Sequence, residues 1–357
     1  MKNILKNNSE NLLFLKDLVI DSYSNNWTID KFIVFKSFNN ILYLIYSNNN
    51  KSIISYNIID DKKINEIKNA HKDYISSFRY YLDNTNQRDL IISLSSNQYY
   101  SNIKLWDIIN LELILNIEKL TNYGFLKSAC FLNDNNGDYI AACFTIYHKE
   151  NPEPIKIFDF KGNKIKEING SEDSAYYINN YYDDDLNKNF ILTGNLGYIK
   201  SYDYDENKIY HKYYEYSENN FGHLSIIINK KKEITELIES CPDGNIQIWN
   251  FHSGAFIRII NISKEGLRGI CMWDDEYLLV GCDDKTIKLI NLNNGEIIKE
   301  IEGHNNKVLS LKIINHPIDG KCLISQGADF EPIKLWIIKN WIFIIYLNII
   351  LRNNLIK

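Results

Sequence analysis

Residues 103–110 read IKLWDIIN, and residues 333–340 return almost the same string, IKLWIIKN. Related pentapeptides recur along the chain: IISYN (53–57), IKLWD (103–107), IKIFD (155–159), IKSYD (199–203), IQIWN (246–250), IKLIN (287–291) and IKLWI (333–337). The large residue falls at 56, 106, 158, 202, 249, 290 and 336, so successive gaps are 50, 52, 44, 47, 41 and 46 residues. Self-similarity at such a period marks a chain assembled from copies of one supersecondary unit, each unable to bury its faces alone.

The units share an interior. Behind Ile333 lie a turn (GADFEP), an apolar strand (KCLIS), a second turn (NHPIDG) and another strand (KVLSLKII). The preceding unit runs LRGICMW, DDE, YLLVGC, DDKT, IKLIN. Alternation is muted, as expected for strands buried on both faces. Four short strands in a repeat of roughly 40–45 residues match one blade of a β-propeller. Closing the blades into a ring gives every sheet two neighbours and removes long free edges. The expected fold is therefore all-β, a seven-bladed β-propeller of four-stranded antiparallel blades. The bias toward Ile, Tyr and Asn suits strands and tight turns. An AT-rich genome would enrich the same residues, so composition adds little.

The chain resembles the WD40-repeat family over nearly its whole length. Besides the Trp-Asp signature, the resemblance includes Ala70-His71, Gly222-His223 and Gly303-His304, each four residues before an apolar strand residue (Ile75, Ile227, Val308). The last unit has the fullest set, His304, Ser325, Asp329 and Trp336. The fifth has His223, Asp243 and Trp249, with Glu239 where Ser or Thr would be usual; the second has His71 and Trp106. Other units carry Asn122, Ser171 and Ser263 at the His position, and the boundaries of the first, third and fourth units stay open. The resemblance implies that these residues form a structural hydrogen-bonded chain ending on the indole N–H. A Ser-His-Asp hydrolase reading is worse, because Ser325 lies in LISQG and not in a G-x-S-x-G elbow.

Other chemistry is thinly represented. NDNNGDYIAAC (133–143) lacks a glutamate at the twelfth position of a calcium loop, where Thr145 stands instead. Asp183-Asp184-Asp185 reads as a solvated loop. No metal site, cofactor or catalytic residue is expected, and there is no glycine-rich phosphate loop or HExxH helix. Net charge is −5 with scattered lysines, and the one basic run is Lys230-Lys231-Lys232, so nucleic acid is not an expected partner. The six cysteines form no CxxC pair and read as buried thiols.

The ends divide the chain into an N-terminal arm (1–29), the propeller (30–340) and an apolar C-terminal segment (341–357). LLFLKDLVI (12–20) and WIFIIYLNII (341–350) both suit the outer strand of the last blade. The N-terminal one is favoured because the first unit's own strands begin near Lys31. The C-terminal run is about eleven residues, against about 20 for a membrane-spanning helix, so a membrane is not an expected partner. The start has no cleavable secretory signal, which makes an intracellular location, cytoplasmic or nuclear, the expectation.

A rigid ring presenting loops suggests a non-enzymatic scaffold or adaptor that binds protein or peptide ligands within a multi-protein complex. By resemblance, the residue before each unit's first apolar strand position faces the partner: Lys31, Tyr74, Phe125, Ser174, Ile226, Gly266 and Lys307. Tyr74 and Phe125 could form an aromatic anchor. A ubiquitin-ligase substrate receptor is less well matched, since Ile109 and Lys161 stand where that subgroup often has Arg. A propeller enzyme would need titratable residues phased with the repeat around the channel, and none is evident.

Overall fold

A computed structural model describes residues 12–19, 30–48, 51–97, 100–118, 120, 124–146, 153–214, 225–329 and 331–338. Every regular element among them is a strand, and the strands form seven four-stranded antiparallel sheets. Blade 1 comprises Phe32–Lys36, Leu42–Ser47, Ile53–Asn57 and Lys62–Ile67. Blade 2 comprises Ile75–Asp83, Arg88–Ser96, Ser101–Asp107 and Glu112–Glu118. Blades 3 to 6 span 124–167, 175–213, 225–261 and 267–301.

Blade 7 breaks the sequential order. Val308–His316, Gly320–Gly327 and Ile333–Ile338 take Leu12–Val19 as their outer strand, in register from Leu12 opposite Ile338 to Val19 opposite Ile333. Pairing the two ends of the chain in one sheet closes the ring. The C-terminal segment 341–357 lies outside the described residues.

The pattern of burial explains the muted alternation. The second strand of a blade lies between two neighbouring sheets, so LYLIYS of blade 1 and YLLVGC of blade 6 are buried at every position. Outer strands such as KKINEI and KIKE are largely open to solvent. The core is accordingly divided, with one apolar cluster at each blade–blade interface from blade 7 against blade 1 round to blade 6 against blade 7.

Two further devices recur or lock the ring. In every blade a register shift falls beside the large residue of the pentapeptide, as between Leu105 and Trp106 or between Ile248 and Trp249. Such a bulge re-aims a side chain locally. At the seam, Asp30 sits at φ 64 with its carboxylate 2.7 Å from Arg79 of blade 2 and 2.8 Å from Lys312 of blade 7. Its backbone accepts from Phe78 N–H at 2.9 Å and donates to Ser310 Oγ at 3.3 Å. Burial opposes the Asp30 charge, but the two cations outweigh it and hold the carboxyl below its ordinary range.

Candidate partner-binding face and its supports

The loops that join one blade to the next, and the hairpins between second and third strands, gather on one face of the ring, called here the upper face. In blades 2 and 7 those loops are held by the same set of hydrogen bonds. In blade 7, Trp336 Nε1–H donates to Ser325 Oγ at 2.7 Å, and Ser325 Oγ lies 2.7 Å from His304 Nε2. In blade 2 the same chain is Trp106 Nε1–H to Ser93 Oγ at 2.8 Å and Ser93 Oγ to His71 Nε2 at 2.7 Å.

The acidic end differs from the sequence expectation. His304 Nδ1 meets Glu331 Oε2 at 3.2 Å, whereas Asp329, at φ 59, accepts from Asn306 Nδ2 at 2.9 Å. Glu331 N–H reaches Ala328 O at 3.4 Å, and the Glu331 carboxylate meets the imidazole. In blade 2 Asn102 Oδ1 fills that role, 2.8 Å from His71 Nδ1. Burial drives the pKa of His71 down to about 3 and that of His304 to about 4, while Asn102 and Glu331 pull the other way. Both rings are therefore neutral near pH 7. The tautomer that uses every donor has Nδ1–H donating outward and Nε2 accepting from serine. Gly303, at φ 136, precedes His304 because a Cβ there would stand 2.8 Å from the Trp336 ring.

Blade 5 is partly outside this account, since His223 lies beyond the described residues. Asp243 accepts from Asn245 N–H at 3.2 Å, and Trp249 is buried with its ring edge-on to Tyr213 and Phe256.

A second support was not read from the sequence. In three units the lysine of the recurrent IK pair reaches back to a carbonyl of the preceding inter-blade loop, Lys104 to Ala70 O at 2.6 Å, Lys156 to Leu120 O at 2.8 Å and Lys200 to Gly170 O at 3.1 Å, whereas Lys288 and Lys334 meet carboxylates. The repeated Lys was visible as part of the motif. Its acceptor was not, because it belongs to a loop of variable sequence.

The residues proposed for partner contact separate into three kinds. Tyr74 is 44% exposed at the channel side of the loop between blades 1 and 2, with Lys51 Nζ 5.4 Å from its ring centre. Phe125 is half-buried at the start of blade 3, and Lys127 Nζ stands 5.7 Å from its ring and 5.8 Å from that of Tyr176 in blade 4. Lys307 shares Asp283 with Arg268, at 3.0 Å and 2.6 Å respectively. Lys31 is a correction: it is 1% exposed, its ammonium donates to Ile75 O at 3.0 Å, and it offers nothing to a partner. The first strand of blade 1 lacks the bulge that opens the equivalent strands of blades 2 and 7, so counting by analogy put Lys31 too far toward the surface. Burial alone lowers the Lys31 pKa to about 7.

The geometry defines a closed seven-bladed propeller, two of whose blades carry a buried His–Ser–Trp chain. No protein-family model matches the chain. It is 30% identical over 97 residues to the WD repeat domain-containing protein 83 homolog of Dictyostelium discoideum, covering 26% of this chain and 28% of that protein. It is 26% identical over 116 residues to the probable coatomer subunit beta' of Schizosaccharomyces pombe, covering 32% of this chain and 14% of that protein. It is 24% identical over 100 residues to the U3 small nucleolar RNA-associated protein 21 homolog of the same yeast, covering 28% of this chain and 11% of that protein. The matched stretches thus take in less than a third of each relative. The seven-bladed architecture and the likeness to a protein named for its WD repeat domain agree with the WD40-repeat resemblance of the sequence.

Proposed function

We propose that this protein is a non-enzymatic interaction scaffold whose upper face holds a peptide or protein partner inside a larger intracellular assembly. The observation that carries the reading is Tyr74, an exposed aromatic at the channel rim with Phe125 at the matching place of the next blade, on a loop held from below by buried hydrogen bonds. Rigid aromatics lose little entropy on binding and dominate interface hot spots. The names of two relatives, a coatomer subunit and a small nucleolar RNA-associated protein, fit a role within assemblies. The polar groups that resemble a hydrolase triad are engaged in support, which leaves them no part in a reaction under this reading.

The test is affinity purification of the tagged chain from its own cells, followed by the same experiment with Tyr74→Ala and Phe125→Ala combined. Loss of co-purifying proteins with an unchanged melting temperature is the expected outcome. Retention of the full set of partners would remove the upper face from consideration.

A further inference from the structure

The upper face is chemically uneven around the ring. Over blades 1 to 4, lysines and aromatic rings alternate: Lys51 over Tyr74, Lys72 Nζ 5.1 Å from the Tyr100 ring, Lys127 between Phe125 and Tyr176, and Lys212 Nζ 3.9 Å from Tyr198 and 5.5 Å from Tyr214. The Tyr214 side chain is 62% exposed. Among the described residues, no carboxylate forms an ion pair with Lys51, Lys72 or Lys127; Lys51 Nζ donates to Lys72 O at 2.8 Å, and the charge of Lys212 acts on the Asp173 carboxyl. Over blades 6 and 7 three cations at the same level are matched, with Arg268 and Lys307 on Asp283 and Lys288 on Asp284 and Glu300.

We propose that the arc over blades 1 to 4 docks an extended acidic segment of a partner protein, its carboxylates meeting Lys51, Lys72, Lys127 and Lys212 and its apolar side chains lying against the neighbouring rings. The inference rests on the upper-face reading above and adds the chemistry of what that face holds. Charge complementarity selects the occupant. A lysine over a ring at an exposed site is held only weakly. An incoming carboxylate can therefore share the ammonium without dismantling the face. Lys127 is the strongest member, because burial already holds it below the ordinary lysine range and a carboxylate would offset that cost.

A peptide fits this arc better than a nucleic acid. Each ring has one face covered by its lysine, whereas base stacking needs open rings. Asp73 and Asp173 also interrupt the lysines on the same face, and the whole chain carries a net charge of −5. A phosphate backbone favours an unbroken basic track.

The experiment is fluorescence anisotropy of labelled probes titrated with the full chain. The probes are a short synthetic peptide alternating Glu with Leu and Tyr, its counterpart with Lys for Glu, and an oligo-uridine strand of matching length. The acidic peptide should bind, and more weakly as salt is added. The combined change Lys51→Glu, Lys72→Glu and Lys127→Glu should weaken it by about tenfold or more, while Lys264→Glu with Lys285→Glu on blade 6 should change it by less than about twofold. Gln at the same three lysines, a gentler change if the Glu variant folds poorly, should give an intermediate loss. Equal binding of the basic peptide, tighter binding of oligo-uridine, or indifference to both lysine variants would overturn the proposal. Cellular partners lost with Tyr74→Ala and Phe125→Ala but kept with the Gln variant would remove the acidic chemistry alone. Partners kept with both would remove the face itself.

Discussion

Blades 7 and 6 are neighbours with the same backbone, and they solve one packing problem in opposite ways. In blade 7 the third strand brings Trp336 beside Ser325, and the indole N–H, hydroxyl and His304 satisfy one another. At the matching places in blade 6 stand Ile290 and Val280, both fully buried and neither polar. The register makes the other blades comparable. Trp106 goes with Ser93, Tyr202 with Thr193 and Phe158 with Ala142. In these blades, where the large residue has a hydrogen to donate the second strand supplies an oxygen, and where it has none the oxygen is gone too; in blade 1 Tyr56 OH donates instead to Asp61 of the following turn. A buried donor left alone costs about 1–3 kcal/mol, whereas removing both partners together is nearly neutral. The repeat therefore decays in pairs.

The comparison is broken most severely by removing one half of a satisfied pair. Ser325→Ala leaves the Trp336 N–H and the His304 ring without their shared partner, with an expected loss of about 2–4 kcal/mol in urea unfolding. His304→Ala should lower the melting temperature in the same direction. If either variant loses an activity at full stability, the supporting role given to this chain fails.

Lys31→Met should act with the opposite sign, because this lysine is a buried polar group with a single carbonyl acceptor. The folded pKa of about 7 lies below the ordinary 10.5, so between those values the unfolded chain binds a proton that the folded one sheds. Stability therefore grows as pH rises through that window, and the full penalty applies below it. Lys31→Met should stabilise most at pH 7 and below, with the gain fading toward pH 10. A constant gain would mean that Lys31 is not charged differently in the two states.

Blade 6 offers a milder change. Val280→Ser introduces a hydroxyl two residues beyond the position opposite Ile290, which has nothing to give it, and about 1–2 kcal/mol should be lost. The double change Val280→Ser with Ile290→Trp should recover part of that loss if pairing is what the blades select.

The smallest effect is a slope. His71 and His304 are held at about 3 and 4, below the ordinary 6.5, so between pH 6.5 and about 4 the unfolded chain carries more protons and stability falls as the pH falls. In His304→Gln the fall over that window should be shallower than in the parent, measured by thermal unfolding at closely spaced pH values.

Sequence periodicity exposed the ring because each strand, its turns and its large residue lie within one short stretch of chain. The spacing of seven pentapeptides and the His, Ser and Trp of blade 7 could be read without coordinates. Asp329 could not be told from Glu331, since both lie in the same turn and only the backbone path decides which carboxylate reaches His304. Ser93 was within reach: it stands two residues beyond the position opposite Trp106, as Ser325 does in blade 7.

What the sequence by itself determined is the repeated sheet and therefore the closed propeller, because strand pattern and turn chemistry are local properties of the chain. The tertiary structure alone decided which charges are buried, which are matched and which rings they meet. Lys31 vanished under blade 2, Lys307 was taken by Asp283, and Lys127 came to lie between rings of two blades. Those contacts join loops from different blades, and no spacing along one chain records the distance between them.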